Sequence, residues 1–269
     1  MKNFIKVIGI GSSGVNMVDY MYNKGIHGVN FAVEEEFERS AAEVDKLLSD
    51  GTKMVFIVTG LDDGTGSGAA PILAEMAKNK GVLTVGIVTI PFLLEKIPCF
   101  GQASDAFEEM RKHVDSLIVI SNERLKTFYP HFDNPNEALA MTVKSITEIV
   151  TRQGIINRDF HDLNYIMKDS GMAYVGYGFG KGENRIENAI NEALNSPLLI
   201  NNDFYDAKRL LFFLSYKKES KLIVEELESS IHSFMERFHP HIRLIWGMGP
   251  DESLEEGQEV KFTFIATNL

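Results

Sequence analysis

The sequence predicts an α/β protein, in which a domain built on a parallel sheet is followed by a long central helix and a smaller α+β domain. Apolar, β-branched runs alternate with helical patterns up to residue 120, as expected for a parallel sheet covered on both faces. Apolar residues with helical spacing then predict one long helix at 134–153. The pattern changes after this helix. The predicted domains therefore span residues 1–133 and 154–269, with the central helix between them.

Each element of the first domain has a local signature. The run FIKVIGI (4–10) is continuously apolar, which indicates a strand buried on both faces. Val15, Val18 and Tyr22 are spaced as one apolar face of the helix that follows. The stretch LDDGTGSG (61–68) is predicted as a loop. The predicted strands cover 4–10, 29–33, 54–60, 82–90 and 116–120. Helices are predicted at 14–23, 70–80 and 102–113, and a further helix after Ser40 with the apolar stripe Ala41, Val44, Leu47 and Leu48.

The C-terminal domain is predicted to mix strands and helices. Its last two strands are expected to be adjacent and joined by the acidic loop GPDESLEEGQ (249–258). The final helix is amphipathic but rich in acids, which favours packing on a core over membrane binding. The predicted strands cover 172–179, 209–216, 243–248 and 259–267, and the helices 185–195 and 220–238.

Composition excludes several classes of function. A net charge of -11 argues against nucleic-acid binding and against docking on anionic lipid, both of which need a basic face. The single cysteine, Cys99, excludes an internal disulfide and a cysteine-based zinc site, and no metal ligands are predicted. No run is long and apolar enough to cross a bilayer, and the start has no cleavage pattern of a signal peptide. We therefore expect a cytoplasmic protein.

Two glycine-rich segments point to a phosphate ligand. GIGSSG (9–14) follows a predicted strand, and Glu34 comes 20 residues after Gly14, which together match the dinucleotide fingerprint. A second glycine segment, 60–68, lies between another strand and another helix. Bare backbone N–H groups at a helix N-terminus favour an anion. A dehydrogenase has one such loop, whereas this chain has two, which indicates that both contribute to one polyphosphate pocket. NAD binding stays open as an alternative.

The second glycine segment resembles the signature of the FtsZ family within the tubulin superfamily. DDGTGSGAAP (62–71) stands where that family has a glycine-rich loop followed by Ala-Ala-Pro. IKVIGIGSSGVNMV, GVLTVGIVTIPF, VDSLIVISNERL, GIINRDFHDL, ALNSPLL and VKFTFIAT resemble further family motifs in the same order. The resemblance implies a Rossmann-like, GTPase-type domain, a tubulin/FtsZ fold and head-to-tail filaments of a cytoskeletal kind. GTP or GDP, with Mg²⁺, would be the ligands.

The resemblance also implies the residues of a site shared between two subunits. Asn157, Asp159 and Asp162 stand at the positions that act on the neighbouring subunit's GTP. The nucleotide-binding positions implied are Gly11, Ser12, Ser13, Asn16, Gly64, Thr65, Gly66, Ser67, Glu95, Phe132, Asn136 and Glu137.

The pocket departs from the family at acidic positions. Glu34, Glu35 and Glu36 replace Asn-Thr-Asp, and Asp62 and Asp63 replace glycines. Two charges about 4 Å apart interact by about 4 kcal/mol at an effective dielectric near 20. Two misplaced acids would therefore cancel much of the roughly 8 kcal/mol of a micromolar site.

Two further departures concern groups that the family turns toward the nucleotide. Cys99 stands at a family Arg, and the family's glycine- and alanine-rich phosphate loop has no counterpart in residues 34–53. The sequence thus predicts a degenerate pocket with weak or no GTPase activity. Such a subunit would assemble with itself or with an intact FtsZ homologue.

Simpler interpretations of these residues remain open. Glu34 and its neighbours would be a solvated loop, Phe132 a core aromatic and Glu95 a surface acid. Asp159 would be a helix N-cap, with Asp162 in the first turn. At the level of function, the alternative is a working GTPase in cell division or membrane remodelling, whose active site is completed by the neighbouring subunit.

Overall fold

The computed structural model describes nine stretches of the chain, which form two compact units. The first unit is Met1–Thr147 with Met167–Met172, and the second is Glu148–Ile166 with Ala173–Leu269. The domain boundaries expected from the sequence stay a prediction. The described residues are 4–34, 41–61, 64–90, 100–128, 135–151, 159–196, 198–199, 203–219 and 224–268.

The first unit is built on a parallel sheet with the strand order β2-β1-β3-β4-β5. Helices follow the strands along the chain, as the alternating pattern predicted. The strands are β1 (Ile5–Ile10), β2 (Val29–Glu34), β3 (Met54–Gly60), β4 (Leu83–Ile90) and β5 (Ser116–Ser121). The helices are α1 (Gly11–Asn23), α2 (Ala41–Leu48), α3 (Gly64–Asn79), α4 (Phe100–His113), α5 (Asn122–Phe128) and α6 (Pro135–Thr151), of which residues 148–151 belong to the second unit.

Three strands of this sheet are buried along their whole length. Every residue of β1, β3 and β5 is buried, which confirms the interpretation of continuous apolar runs as two-sided strands. Lys6 is the charged member of β1 and is only 5% exposed. Its ammonium donates to the Leu47 carbonyl and, at 2.9 Å, to Asp50 Oδ2, which compensates the cost of burying the charge.

Two details of the helices differ from the sequence prediction. The buried face of α1 is formed by Gly14, Met17, Val18 and Met21, whereas Tyr22 is 71% exposed. The loop predicted at 61–68 is wrong from Gly64 onwards, because α3 already begins there. Glycine disfavours a helix locally, but α3 packs on α1, β1 and β3, and this packing outweighs the propensity.

The second unit contains a sheet with the order β6-β9-β7-β8. Strand β9 is antiparallel to β6 and β7, while β7 and β8 are parallel. Phe212, Phe234, Phe262 and Phe264 are fully buried and form its aromatic core. Its strands are β6 (Gly171–Gly180), β7 (Arg209–Tyr216), β8 (Arg243–Pro250) and β9 (Val260–Thr267), and its helices α7 (Phe160–Met167), α8 (Arg185–Leu194) and α9 (Val224–Met235).

The expectation that the last two strands are adjacent is wrong. Strand β7 lies between β8 and β9 in the sheet. The helix α9 connects β7 to β8, and such a crossover makes the two strands parallel neighbours. The edge of β7 that remains is then taken by β9. The acidic loop over 249–258 therefore crosses from the edge strand to an interior position and is not a hairpin turn.

Two glycines allow α1 to approach the sheet closely. A Cβ added at Gly14 would lie 2.4 Å from the Val58 carbonyl oxygen, and one added at Gly9 would lie 2.3 Å from the Gly14 carbonyl oxygen. Contacts under 3.0 Å are not tolerated by real Cβ atoms. The distance between α1 and the strands β1 and β3 therefore requires the absence of both side chains.

We expect Gly14→Ala to lower the free energy of unfolding by about 1–3 kcal/mol, because the added methyl group overpacks the contact with Val58. Gly68→Ala is the matched control, since a Cβ at Gly68 in α3 meets nothing within 4 Å. There alanine should leave stability unchanged or raise it by up to about 1 kcal/mol. Urea unfolding of both variants measures the difference, and equal stabilities would contradict this packing argument.

The Lys6–Asp50 pair predicts a pH dependence. A hydrogen bond from the Thr52 hydroxyl, together with the Lys6 ammonium, lowers the pKa of Asp50. A carboxyl whose pKa is lower in the folded state stabilises the protein above the unfolded pKa of about 3.9, and this stabilisation is lost as the pH falls through the folded value. Asp50→Asn should therefore lose less stability than the wild type between about pH 5 and pH 3. Parallel unfolding curves at each pH provide the test, and identical pH profiles would refute it.

Candidate nucleotide site

Three neighbouring strands end at one edge of the first sheet. Ile10, the last residue of β1, pairs with Glu34 at the end of β2, and Gly9 pairs with Val58 of β3. The Thr59 hydroxyl donates to the Ile10 carbonyl at 3.1 Å and ties the ends of β1 and β3 together. Ligands of open parallel sheets bind outside the carboxyl ends of the strands, so this edge is the candidate site.

The helix α1 begins directly at this edge. Gly11 has a φ of 71°, a left-handed conformation that favours glycine and allows the chain to turn from strand into helix. No side chain caps the helix, and its first turn contains no acid. Ser12 and Asn16 are exposed and Ser13 is half-buried. The start of α1 is therefore a helix N-terminus of the kind that favours an anion.

A second helix begins beside the first. α3 starts at Gly64, after the end of β3, and its first turn also lacks an acid. Thr65, Gly66 and Ser67 belong to this first turn. Because β1 and β3 are neighbours and α1 packs against α3, two helix N-termini follow adjacent strand ends. This is the geometry of a cradle for an anion with several charges.

Glu34 places an acid at the same edge. It is 7% exposed and pairs with Ile10, the residue that precedes α1. The interpretation of Glu34 as part of a solvated loop is therefore wrong. The other acids of the predicted departure, Glu35, Glu36, Asp62 and Asp63, lie outside the described residues.

The remaining predicted nucleotide residues are only partly described. Asn136 and Glu137 follow Pro135 in the first turn of α6, and both are half-buried. Their role toward a base stays a prediction. The predicted residues Glu95, Phe132 and Asn157, and Cys99 at the position of the family Arg, lie outside the described residues.

Asp159 and Asp162 form a capping box at the start of α7. The Asp159 carboxylate accepts from the backbone N–H of His161 at 2.8 Å and of Asp162 at 3.0 Å, and Asp162 Oδ2 accepts from the Asp159 N–H at 3.2 Å. The N-cap interpretation is therefore confirmed. A catalytic role for these acids stays a prediction, and Asp159 is exposed while Asp162 is half-buried.

Sequence reasoning missed two features of this chain. Thr59 lies at the end of an apolar strand and carried no signal of its own, although its hydroxyl joins two strand ends. Arg209 and Arg243 begin two strands of the second unit and border a cavity there. The sequence shows an arginine at the first position of each of these strands. This pattern points to a cluster of cations only once the two strands are known to pair.

In the described ranges, no group of three or more His, Cys, Asp or Glu side chains is arranged to hold a metal ion. None of the helices described is both long and apolar enough to cross a bilayer.

Comparison with known proteins gives the family. Residues 23–130 match the model of the GTPase domain of the tubulin/FtsZ family, and residues 171–269 match the C-terminal domain of the FtsZ family. The cell division protein FtsZ of Porphyromonas gingivalis is 37% identical over 98% of this chain and 67% of the relative. The chain belongs to the tubulin/FtsZ family.

Two further FtsZ relatives cover nearly the whole chain. FtsZ 1 of Thermococcus kodakarensis is 33% identical over 98% of the chain and 80% of its own length. A solved FtsZ structure from M. jannaschii, described as an empty dimer, has a TM-score of 0.84 at 30% identity and covers 100% of this chain and 89% of that one. The predicted tubulin/FtsZ fold is thereby confirmed.

The alignments also show that this FtsZ-like chain is shorter inside the matched region. The P. gingivalis alignment runs over 308 positions, against 269 residues in the whole chain, so at least 39 positions belong to segments that the relative has and this chain lacks. Residues 35–53, between β2 and β3, contain only α2 as a helix in their described part.

The capping box predicts a stability effect that is separable from catalysis. We expect Asp159→Ala to lower the free energy of unfolding by about 1 kcal/mol, because two backbone N–H groups lose their acceptor. Asp159→Asn should retain most of that stability, since asparagine caps as well as aspartate. Chemical unfolding compares the two variants, and an equal loss in both would argue against the cap as the source of stability.

Proposed function

We propose that this FtsZ-like protein is a cytoplasmic filament subunit with a degenerate nucleotide pocket. It associates head to tail, with itself or with an intact FtsZ homologue. It binds GTP or GDP weakly or not at all and has little or no GTPase activity. Association of this kind uses two different surfaces of one subunit, does not close on itself, and so produces filaments.

The observation that carries the proposal is the buried Glu34. Its backbone pairs with Ile10, the residue before the uncapped start of α1. A carboxylate about 4 Å from a phosphate would cost about 4 kcal/mol at an effective dielectric near 20. That cost would turn a micromolar site into a roughly millimolar one.

The short connection between β2 and β3 supports the same proposal. The resemblance to the family implies a loop there that wraps the terminal phosphate. This chain has only residues 35–53 in that place, and the P. gingivalis relative carries at least 39 additional positions within the matched region. Loss of the loop would remove contacts to the γ-phosphate and so reduce both affinity for GTP and hydrolysis.

Self-association is supported by the solved relative from M. jannaschii, which is described as a dimer. The start of α7, where Asp159 and Asp162 lie, is the part that the resemblance assigns to the neighbouring subunit's site. Asp159 is exposed in the second unit and its cap does not depend on a nucleotide. A subunit of this kind can offer its acidic surface to a partner whether or not its own pocket holds GTP.

A working GTPase is the second candidate, and one observation favours it. The N-termini of α1 and α3 follow adjacent strands and neither has an acid in its first turn. This arrangement fits a nucleotide phosphate, and carboxylates near it would then bind Mg²⁺, which neutralises part of their charge. The match of residues 23–130 to a GTPase-domain model favours GTP over the alternative dinucleotide.

The experiment that tests the proposal removes the negative charge of Glu34 from the pocket. Glu34→Asn replaces the acid with the residue that the family has at this position, and it should strengthen GTP binding at least tenfold, which corresponds to about 1.4 kcal/mol. Glu228→Gln, at an exposed acid of α9 in the second unit, is the matched control and should change nothing. Isothermal titration with GTP and Mg²⁺ measures the affinity of both variants. A second substitution at the same position, Glu34→Gln, should strengthen binding in the same way. Thermal unfolding of each variant shows whether a change in affinity comes from lost stability.

Filament formation is measured by pelleting and negative-stain microscopy with and without GTP. The proposal expects assembly of the protein alone, or with an FtsZ homologue, that does not depend on GTP. Tight binding of GTP by the wild-type protein, with GTP-dependent filaments and hydrolysis that Asp159→Asn abolishes, would establish the GTPase instead. The asparagine variant keeps the helix cap, so its loss of activity would not come from unfolding.

A further inference from the structure

A cavity of about 480 Å³ lies at one end of the sheet of the second unit. At this end β7 and β8 begin and β9 ends, because Arg209 pairs with both Arg243 and Thr267. Its volume falls within the usual range for small-molecule sites. The cavity is lined by Asp206, Ala207, Lys208, Arg209, His239, His241, Ile242 and Arg243.

The charge of this cavity is opposite to that of the chain. Lys208, Arg209 and Arg243 contribute three permanent cations, and Asp206 contributes the one carboxylate of the lining, in a protein with a net charge of -11. Among the residues that the structure describes, no carboxylate lies within 4.0 Å of Lys208 or Arg243, whereas Lys6, Lys78 and Lys261 all have such partners.

The two arginines are held side by side. Arg209 and Arg243 are register partners in the parallel pair β7–β8, so their side chains leave the sheet on the same face. Like charges directly opposite each other on neighbouring strands are destabilising. An anion bound beside Arg243 would offset this repulsion, and a planar guanidinium matches the oxygens of a phosphate group.

Tyr165 of α7 fixes both guanidinium groups. Arg209 Nη1 donates to the Tyr165 carbonyl at 2.8 Å, and the guanidinium carbon lies 5.1 Å from the centre of the Tyr165 ring. Arg243 Nη1 donates to the Tyr165 hydroxyl at 2.6 Å. In the described part of the chain this hydroxyl is the only hydrogen-bond partner of the Arg243 side chain, which leaves further N–H donors for a ligand. The positions of the Arg209 and Arg243 guanidinium groups are therefore set before any ligand binds.

His239, which also lines the cavity, supplies another donor. The His239 Nδ1 accepts from the backbone N–H of His241 at 3.2 Å. A neutral imidazole whose Nδ1 accepts carries its proton on Nε2, so His239 presents an N–H donor on its other side. The His241 ring lies 5.5 Å from it, and Ile242 adds an apolar surface beside the two rings.

We propose that this cavity binds a phosphate-bearing small molecule, either a free polyphosphate or a nucleoside phosphate. Its cations, its preset guanidinium groups and its donor from His239 suit clustered phosphate oxygens, while the rings and Ile242 suit a base. A long polyanion is disfavoured by the net charge of -11 outside the cavity. The site lies within the second unit and is independent of the nucleotide pocket of the first.

Isothermal titration with inorganic pyrophosphate at low ionic strength tests the proposal. Arg243→Gln should weaken binding at least tenfold, because a charge-assisted contact is lost. Asp206→Asn should tighten it about threefold, since one repulsive charge at about 6 Å in water is removed. Lys181→Gln is the control, because this exposed lysine follows β6 at the opposite end of the sheet. Unchanged affinity in Arg243→Gln and Asp206→Asn, or an equal loss in Lys181→Gln, overturns the proposal.

Further arms separate the sources of phosphate and the role of Tyr165. Tighter binding of ADP than of pyrophosphate supports a nucleoside phosphate, and the reverse supports a free polyphosphate. Tyr165→Phe should weaken pyrophosphate binding severalfold while thermal stability is retained, because the hydroxyl positions Arg243. If Arg243→Gln changes the sedimentation mass of the protein but not its affinity for pyrophosphate, the arginines serve a contact between chains and the proposal fails. None of these results depends on the effect of Glu34→Asn on GTP.

Discussion

The close approach of α1 to the strands β1 and β3 is the constraint on which the first unit depends. A Cβ at Gly14 would lie 2.4 Å from the Val58 carbonyl, and α1 cannot withdraw without exposing Met17, Val18 and Met21. The helix must therefore start at the end of β1, where its uncapped N–H groups face the edge of the sheet. Packing and the candidate phosphate cradle thus require the same glycines. The packing of α1 would therefore preserve these glycines whether or not a nucleotide binds.

Charge in this protein is arranged locally, and its total of -11 conceals two opposite situations. In the first unit, Glu34 is buried at the strand edge where an anion would be expected to bind. In the second unit, Arg209 and Arg243 are paired across two strands and anchored on Tyr165. An acid thus lies at the strand edge of the first unit, whereas two cations lie at the strand edge of the second. Each proposal therefore rests on the charge next to the site and not on the fold that carries it.

Much of the fold was predictable because buried parallel strands are continuously apolar, a signal that needs no partner to be recognised. The predictions were wrong where more than one helix face could be buried or more than one strand could be the neighbour. Val15, Val18 and Tyr22 have helical spacing, but the face that is buried contains Gly14 and Met21, since the close approach to the sheet selects glycine. The early start of α3 was missed because packing on the sheet outweighs the low helix propensity of glycine. The order of β8 and β9 was missed because sequence adjacency does not determine which strand occupies the edge left open by β7.

The sequence alone determined the class of the fold, its family, the two glycine segments and the acids that depart from the family pattern. These properties depend on residue type and spacing, which the sequence shows directly. Only the tertiary structure decided that Glu34 is buried, that Asp159 and Asp162 cap a helix, and that two arginines 34 positions apart in the chain become neighbours. Burial and pairing depend on which segments meet in space. Those contacts arise from the packing of the whole unit, which no local stretch of sequence specifies.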